Sequence, residues 1–234
     1  LLCCQIKSKG RETYYDFGGA MGQTLTDKSC REFLDALGAR IPVPGGGGTA
    51  ALVGALSAAL CSMAANYTIG KKSYVSVEDD MYRVVSEVSK LKEQLLLLVD
   101  QDALAFEALS SAYKASKSTK SDADVDKALE MAIKTAADIP AEMMRQLCRI
   151  IELLEEMSYK GTQSLLSDIG CGAYLASSAL QAAAITVFVN TKEYRDHRWA
   201  KLLEADCDAM LHRYVPRAQA VADKISAKIR NGNR

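Results

Sequence analysis

Pro42-Val43-Pro44-Gly45-Gly46-Gly47-Gly48-Thr49 runs without a break into Ala50-Ala51-Leu52-Val53-Gly54-Ala55-Leu56-Ser57-Ala58-Ala59-Leu60. Proline cannot continue a preceding helix, glycine lets backbone approach a neighbour closely, and Ala and Leu are strong helix formers. The stretch therefore reads as a loop feeding the N-terminus of a long helix, where unpaired N–H groups and the helix dipole favour an anion. Four consecutive glycines cost conformational entropy that a plain turn avoids with one or two. We weigh a ligand-approach role above a plain turn. Two familiar glycine-rich readings fail. Gly46-x-Gly48-x-x-Ala51 follows Ile41-Pro42-Val43-Pro44, a poor buried strand, and no acidic residue follows at dinucleotide-fold spacing. The loop ends Gly48-Thr49-Ala50 rather than in the Gly-Lys-Ser/Thr of a phosphate-binding loop.

Working outward, the helix that starts here should run to about Ile69 and stop at Gly70, before Lys71-Lys72-Ser73-Tyr74. A second long helix, from about Val77 to Tyr113, carries Val84, Val88, Leu91, Leu95, Leu98, Asp102, Ala105 and Leu109 at alternating spacings of four and three. Lys114 to Ser121 reads as a polar linker. A third helix carries Val125, Leu129, Ile133, Met143, Leu147, Ile150 and Leu154, with Pro140 expected to kink it, and Lys160-Gly161-Thr162 ends it. Ser164-Leu165-Leu166-Ser167-Asp168 leads into an Ala-rich helix ending near Asn190, and the last segment, Tyr194 to about Arg230, should break or bend at Pro216. Upstream, Thr26-Asp27-Lys28-Ser29 offers caps for a helix carrying Cys30, Phe33, Leu34 and Leu37. No strand of useful length shows period 2, so the class is all-α: a multi-helix bundle with long, partly kinked helices.

Residues 1–20 show neither period nor a signal-peptide layout. We expect them to be a leader or an appended segment outside the fold, with the helical domain over 21–234 and Met21 as its natural start. The 234 residues, 49% hydrophobic, suffice for a large core. Lys plus Arg equals Asp plus Glu at 29 each, so no global field favours nucleic acid or an anionic membrane, and any anion needs a local cluster. Seven cysteines without a C-x-x-C pair read as reduced, cytoplasmic thiols, and two histidines give a metal no obvious home. Residues 49–69 and 169–189 are apolar enough to raise a transmembrane question, but Ala, Ser and Gly carry them. That composition suits closely packed interior helices.

Asp102 occupies a seam position reserved for an apolar side chain. Burial there raises a carboxyl pKa and can make the group an acid near neutral pH, or the side chain can simply bond a neighbouring helix end. Asp100, two residues earlier, should point the other way and be ordinary surface. Ser167-Asp168 at the start of an apolar helix has the form of an N-cap, and Lys71-Lys72 that of a solvated face.

Taken together, Pro44-Gly45-Gly46-Gly47-Gly48, Thr68-Ile69-Gly70-Lys71-Lys72-Ser73-Tyr74, Leu98-Val99-Asp100-Gln101-Asp102-Ala103-Leu104-Ala105-Phe106 and Ser167-Asp168 resemble, in order, the motifs of the formiminotetrahydrofolate cyclodeaminase and methenyltetrahydrofolate cyclohydrolase family. The resemblance covers about Asp27 to the C-terminus. It implies a dimeric all-helical subunit that binds tetrahydrofolate derivatives, polyglutamylated ones included, and needs no cofactor or metal beyond that substrate. It also implies that Asp102 is catalytic, that Pro44, Gly45, Gly46, Gly47, Gly48 and Thr49 lie by the folate, that Lys71 and Lys72 meet its glutamate tail, and that Ser167 and Asp168 belong to the site. Gly48 stands where the family commonly has serine, leaving Thr49 as the hydroxyl nearby, and Gly161-Thr162 replaces a common Gly-Asn. The expected activity is cyclisation of formiminotetrahydrofolate with release of ammonia; the alternatives are hydrolysis of methenyltetrahydrofolate and a non-enzymatic folate-binding or scaffold role.

Overall fold

The four-three spacing in the second long helix is a buried seam. In the computed structural model, Val84, Val88, Leu91, Leu95, Leu98, Ala105 and Leu109 are all buried, and Asp102 alone in the series is half-buried. The structure describes residues 3–8, 11–16, 24–118, 122–192 and 194–232, with side chains from residue 24 onward. Among the described residues six helices follow one another: α1 Cys30–Gly38, α2 Gly46–Asn66, α3 Glu78–Ser118, α4 Ala123–Lys160, α5 Leu166–Thr191 and α6 His197–Asn231, with short 3₁₀ turns at Leu25–Asp27, Lys72–Val77 and Gln163–Leu165. The all-α bundle is as expected.

Helices α2 to α6 run up and down. Side-chain contacts fix the alternation: Gly70 N–H donates to Glu78 Oε1 at the α2–α3 turn, Lys160 to Asp80 Oδ2 between α4 and α3, Asn190 Nδ2 to the Ala136 carbonyl between α5 and α4, and Tyr174 Oη to Asp223 Oδ1 between α5 and α6. Helix α4 is the central rod, burying Ile139, Met143, Met144, Leu147, Ile150, Ile151, Leu154 and Met157 against its neighbours. Arg149 pins α4 to α3 with paired bonds to Glu87, 2.6 and 2.9 Å, and its guanidinium holds the Glu87 carboxyl below the usual range. Helices α2 and α5 meet through small residues, and Ser57 Oγ donates to the Gly172 carbonyl at 2.8 Å. Side chains no larger than these let two backbones come that close.

Local signals explain most boundaries. Ser29 caps α1 with a full capping box to Glu32. Gly70, at φ +76°, takes the left-handed conformation that ends the α2 turn. Several details depart from expectation. Helix α3 continues to Ser118, through most of the segment read as a polar linker: Lys114, Ala115 and Lys117 are good helix formers, and α3 needs no packing to extend one turn further. Pro216 sits inside a continuous α6, exposed, so the helix is not broken there. Residues Cys3–Ser8 and Arg11–Asp16 form an antiparallel two-stranded hairpin, Cys3 opposite Asp16 and Ser8 opposite Arg11, where no strand was expected. Neither strand packs extensively on a helix. Met21 and the side chains of Cys3 and Cys4 lie outside the described residues.

Helix α2 and the segment Gln163–Thr191 are long and apolar enough, by length and composition, to cross a membrane, yet only about half of each apolar stretch is covered by the rest of this chain. Leu56, 52% exposed, and Met63 lie on the uncovered side of α2, as do Ile185, 64% exposed, and Val189 on α5.

Candidate active site

The glycine run is the first turn of α2. Gly45 is its N-cap, the Val43–Pro44 peptide is cis with Pro44 buried, and Gly46, Gly47 and Gly48 are helical. The ridge of α3 that faces α2 reads downward in register. Leu95 lies against Gly54, Val99 against Gly48, and Asp102 against Gly47 and Gly48.

Asp102 Oδ2 accepts the Gly48 N–H at 2.8 Å, so the carboxylate is bonded to one of the donors that a helix start leaves unpaired. Oδ1 lies over the Cα of Gly47: a Cβ there would sit 2.2 Å from Oδ1, 2.6 Å from Cγ and 2.7 Å from Oδ2. Only glycine at position 47 lets the carboxylate reach the helix end. Burial pushes the Asp102 carboxyl above its usual range, and the Gly48 hydrogen bond partly opposes the shift. The residue is half-buried, so it is not sealed from solvent. A carboxyl raised by burial gives up its proton less readily than a solvated one, and its bond to the start of a helix, which favours the ionised form, fixes where it could pass a proton to a bound molecule. The bond to a neighbouring helix end that the sequence allowed is present, and it fixes the orientation of the carboxyl singled out as a candidate acid.

The other expected site residues divide. Pro44 to Thr49 and Asp102 come together at this end of α2. Thr49 Oγ1 donates back to the Gly45 carbonyl at 2.8 Å, which ties down the first turn. Lys71, Lys72, Ser167 and Asp168 lie at the opposite end, beyond the C-terminus of α2. Its 21 residues separate the two groups by about 30 Å. There Lys71 Nζ donates to Thr162 Oγ1 at 2.8 Å and Ser164 Oγ at 3.3 Å, beside the start of α5, while Lys72 is exposed. Lys71 is thus no solvated-face lysine. Nor does Asp168 cap α5: the N-cap is Leu165, and Asp168 sits in the first turn, where its charge still suits the helix dipole and its Oδ2 accepts from Ser167 Oγ at 3.3 Å.

Sequence reasoning missed the contacts of Asp100, Thr162 and Ser164 and the exposure of Phe106. Asp100 is not ordinary surface; its Oδ1 takes the Leu25 N–H at 2.6 Å and its Oδ2 the Thr26 hydroxyl at 3.0 Å, anchoring the chain ahead of α1. Nothing local in the sequence forecasts a partner 75 residues away. Thr162 and Ser164 hold Lys71, and the replacement at Gly161-Thr162 was the available signal. Phe106, one turn beyond Asp102 on α3, is 45% exposed. Among the described residues no group of three or more His, Cys, Asp or Glu is placed to hold a metal ion.

The sequence model of the family described as formiminotransferase-cyclodeaminase matches residues 29–209. A methenyltetrahydrofolate cyclohydrolase of Methylorubrum extorquens is 34% identical over 204 residues, 87% of this chain and 98% of that protein. The formimidoyltransferase-cyclodeaminase of Mus musculus is 30% identical over 207 residues, and the chain spans 38% of its length. Among solved structures, the formiminotetrahydrofolate cyclodeaminase of Thermotoga maritima superimposes with a TM-score of 0.77 at 31% identity, over 85% of this chain and 98% of that one.

Proposed function

The chain belongs to the formiminotransferase-cyclodeaminase family, and from that premise we propose that it closes formiminotetrahydrofolate to methenyltetrahydrofolate with release of ammonia, using Asp102. The observation that carries the reading is the Asp102 carboxyl itself, raised by burial, held by Gly48 N–H and only partly covered. In the reaction the folate's second nitrogen attacks the formimino carbon, forming a carbon–nitrogen bond and a tetrahedral adduct. The carbon–ammonia bond then breaks, with the proton from Asp102 going to the departing nitrogen. The first turn of α2 supports this by fixing the carboxylate and by presenting N–H dipoles to electron density on the substrate. A cofactor beyond the folate has no part in this scheme.

The full-length match to a cyclohydrolase supports a second reading on the same residues. There Asp102 acts as base toward a water that adds to the methenyl carbon, and the ring opens to the formyl compound. Purified protein offered each substrate in turn separates the two. Appearance of the methenyl absorbance from formiminotetrahydrofolate supports the first reading, loss of it from methenyltetrahydrofolate supports the second, and neither change, with folate bound, supports a non-enzymatic role.

We further infer a homodimer. The uncovered apolar sides of α2 and α5 suit a second copy better than water, and an antiparallel pairing through them sets the Asp102 end of one α2 beside the Lys71 end of the other. That arrangement lets Lys71, Lys72, Ser167 and Asp168 serve the glutamate tail of a folate whose ring lies at Asp102. Sedimentation as a monomer at micromolar concentration would contradict it. The five described cysteines are all free, which fits a reducing cytoplasmic setting.

A further inference from the structure

We propose that Phe106 is the stacking surface for the substrate's flat heteroaromatic ring, an inference that rests on the folate reading above and assigns the residue that orients the ring at Asp102. The ridge of α3 against α2 explains why. Leu95, Val99 and Asp102 each meet an α2 residue, at Gly54, Gly48 and Gly47, and Phe106 is the next position on that ridge. Helix α2 begins at Gly46, so nothing of α2 is left to cover Phe106, and the ring stays 45% exposed. Elsewhere on this ridge α3 places residues that pack on small α2 side chains. A bulky aromatic where packing has ended has no core role to explain its size.

Geometry then ties Phe106 to the carboxylate. Residues four apart on a helix stand on one face with Cβ atoms roughly 5–6 Å apart, and helical side chains lean toward the N-terminus, which carries the Phe106 ring toward the Asp102 turn. On this placement the Phe106 face supplies a flat apolar wall beside the acid and the N–H groups that the start of α2 leaves without intrahelical partners. A planar heteroaromatic ring with a reactive substituent at its edge fits that combination: the face stacks, and the edge meets the carboxyl. An aliphatic or sugar substrate would make no use of the wall.

The test compares Phe106→Leu, which keeps apolar bulk and loses the π face, with Phe106→Tyr, which keeps the face. Loss of stacking should raise the KM for formiminotetrahydrofolate, or the Kd for the unreactive probe 5-formyltetrahydrofolate, by about 10-fold to 100-fold in the Leu variant. The Tyr variant should stay within about threefold of wild type, and both should keep the wild-type Tm and sedimentation coefficient. In Phe106→Trp, 5-formyltetrahydrofolate should quench emission beyond the change seen for the native Trp199, the only tryptophan of the chain. Leu and Tyr variants that both bind like wild type, a Trp at 106 that is not quenched, or a Leu variant that loses the dimer while keeping its Kd would each overturn the proposal. The outcome is separable from the function itself. If Asp102→Asn abolishes turnover while Phe106→Leu binds normally, this inference alone fails; wild-type protein that binds no 5-formyltetrahydrofolate sinks both.

Discussion

Gly47→Ala is the perturbation that most sharply connects the glycine run to the chemistry. The added methyl would lie 2.2 Å from Asp102 Oδ1 and 2.7 Å from Oδ2, so the carboxyl must swing away and give up the 2.8 Å bond from Gly48 N–H. A hydrogen bond to a charged group contributes about 1.5–3 kcal/mol. Replacing glycine by alanine in a helix returns at most about 1 kcal/mol, less in the first turn. With between nothing and about 1 kcal/mol returned, the net loss is roughly 0.5–3 kcal/mol, a fall in Tm of about 1–12 °C for a domain of this size. Turnover should suffer far more than folding, because a displacement of about 1 Å at a catalytic group costs on the order of 10²-fold. Gly38→Ala is the control, since a Cβ there meets nothing within 4 Å. Thermal melts and steady-state kinetics on both variants decide the matter. Gly47→Ala with wild-type turnover would show that the carboxylate need not touch the first turn of α2, and the account of the glycine run would fall.

Three further outcomes follow from the same structure. Lys71→Ala should weaken binding of a polyglutamylated folate by about 1–3 kcal/mol, more than Lys72→Ala, because Lys71 is held beside α5 by Thr162 and Ser164 while Lys72 is exposed; equal affinity of Lys71→Ala and wild type, by calorimetry, would remove it from the site. The Asp102 carboxyl is raised in the fold, so the folded state binds its proton more tightly than the unfolded chain, and the stability this gives is complete below about pH 4 and lost as pH rises through the raised value. Asp102→Asn does not titrate, so its Tm relative to wild type should climb between pH 4 and pH 8; a constant difference would show that the carboxyl is not desolvated. Deleting residues 1–20 should leave the bundle's Tm within about 2 °C, because the hairpin packs on no helix extensively, and a larger drop by calorimetry would make it part of the fold.

The bundle was legible because its signal is periodic and local. The Leu95, Leu98, Leu109 seam, the Ser29 cap with Glu32 and the stop at Gly70 each depend on residues within a few positions. Asp102 stood out for the same reason, as a charge where the spacing wants an apolar side chain. What the sequence could not reveal depends on partners far along the chain. The role of Gly47 exists only because Asp102 arrives 55 residues later, and Asp100 was misjudged because its partners, Leu25 and Thr26, precede it by 75 and 74 positions. Asp168 shows a third kind of limit. Ser-Asp before an apolar run fits an N-cap, but the 3₁₀ turn Gln163–Leu165 starts the helical path earlier and moves Asp168 inside the first turn. Placement of Lys71 an α2 length away from Asp102 was likewise invisible, since motifs read in order say nothing about which end of a bundle each occupies.

The turnover of Asp102→Asn with formiminotetrahydrofolate tests most directly whether the Asp102 carboxyl moves the proton. The amide keeps the size of the side chain and can still accept the Gly48 N–H through its oxygen, but it has no exchangeable carboxyl proton. Followed by methenyl absorbance, kcat should fall by about 10² to 10⁴ while the Kd for 5-formyltetrahydrofolate stays near wild type and Tm at the assay pH does not fall. Near-normal kcat in this variant would contradict the account and leave the carboxyl a structural cap on α2.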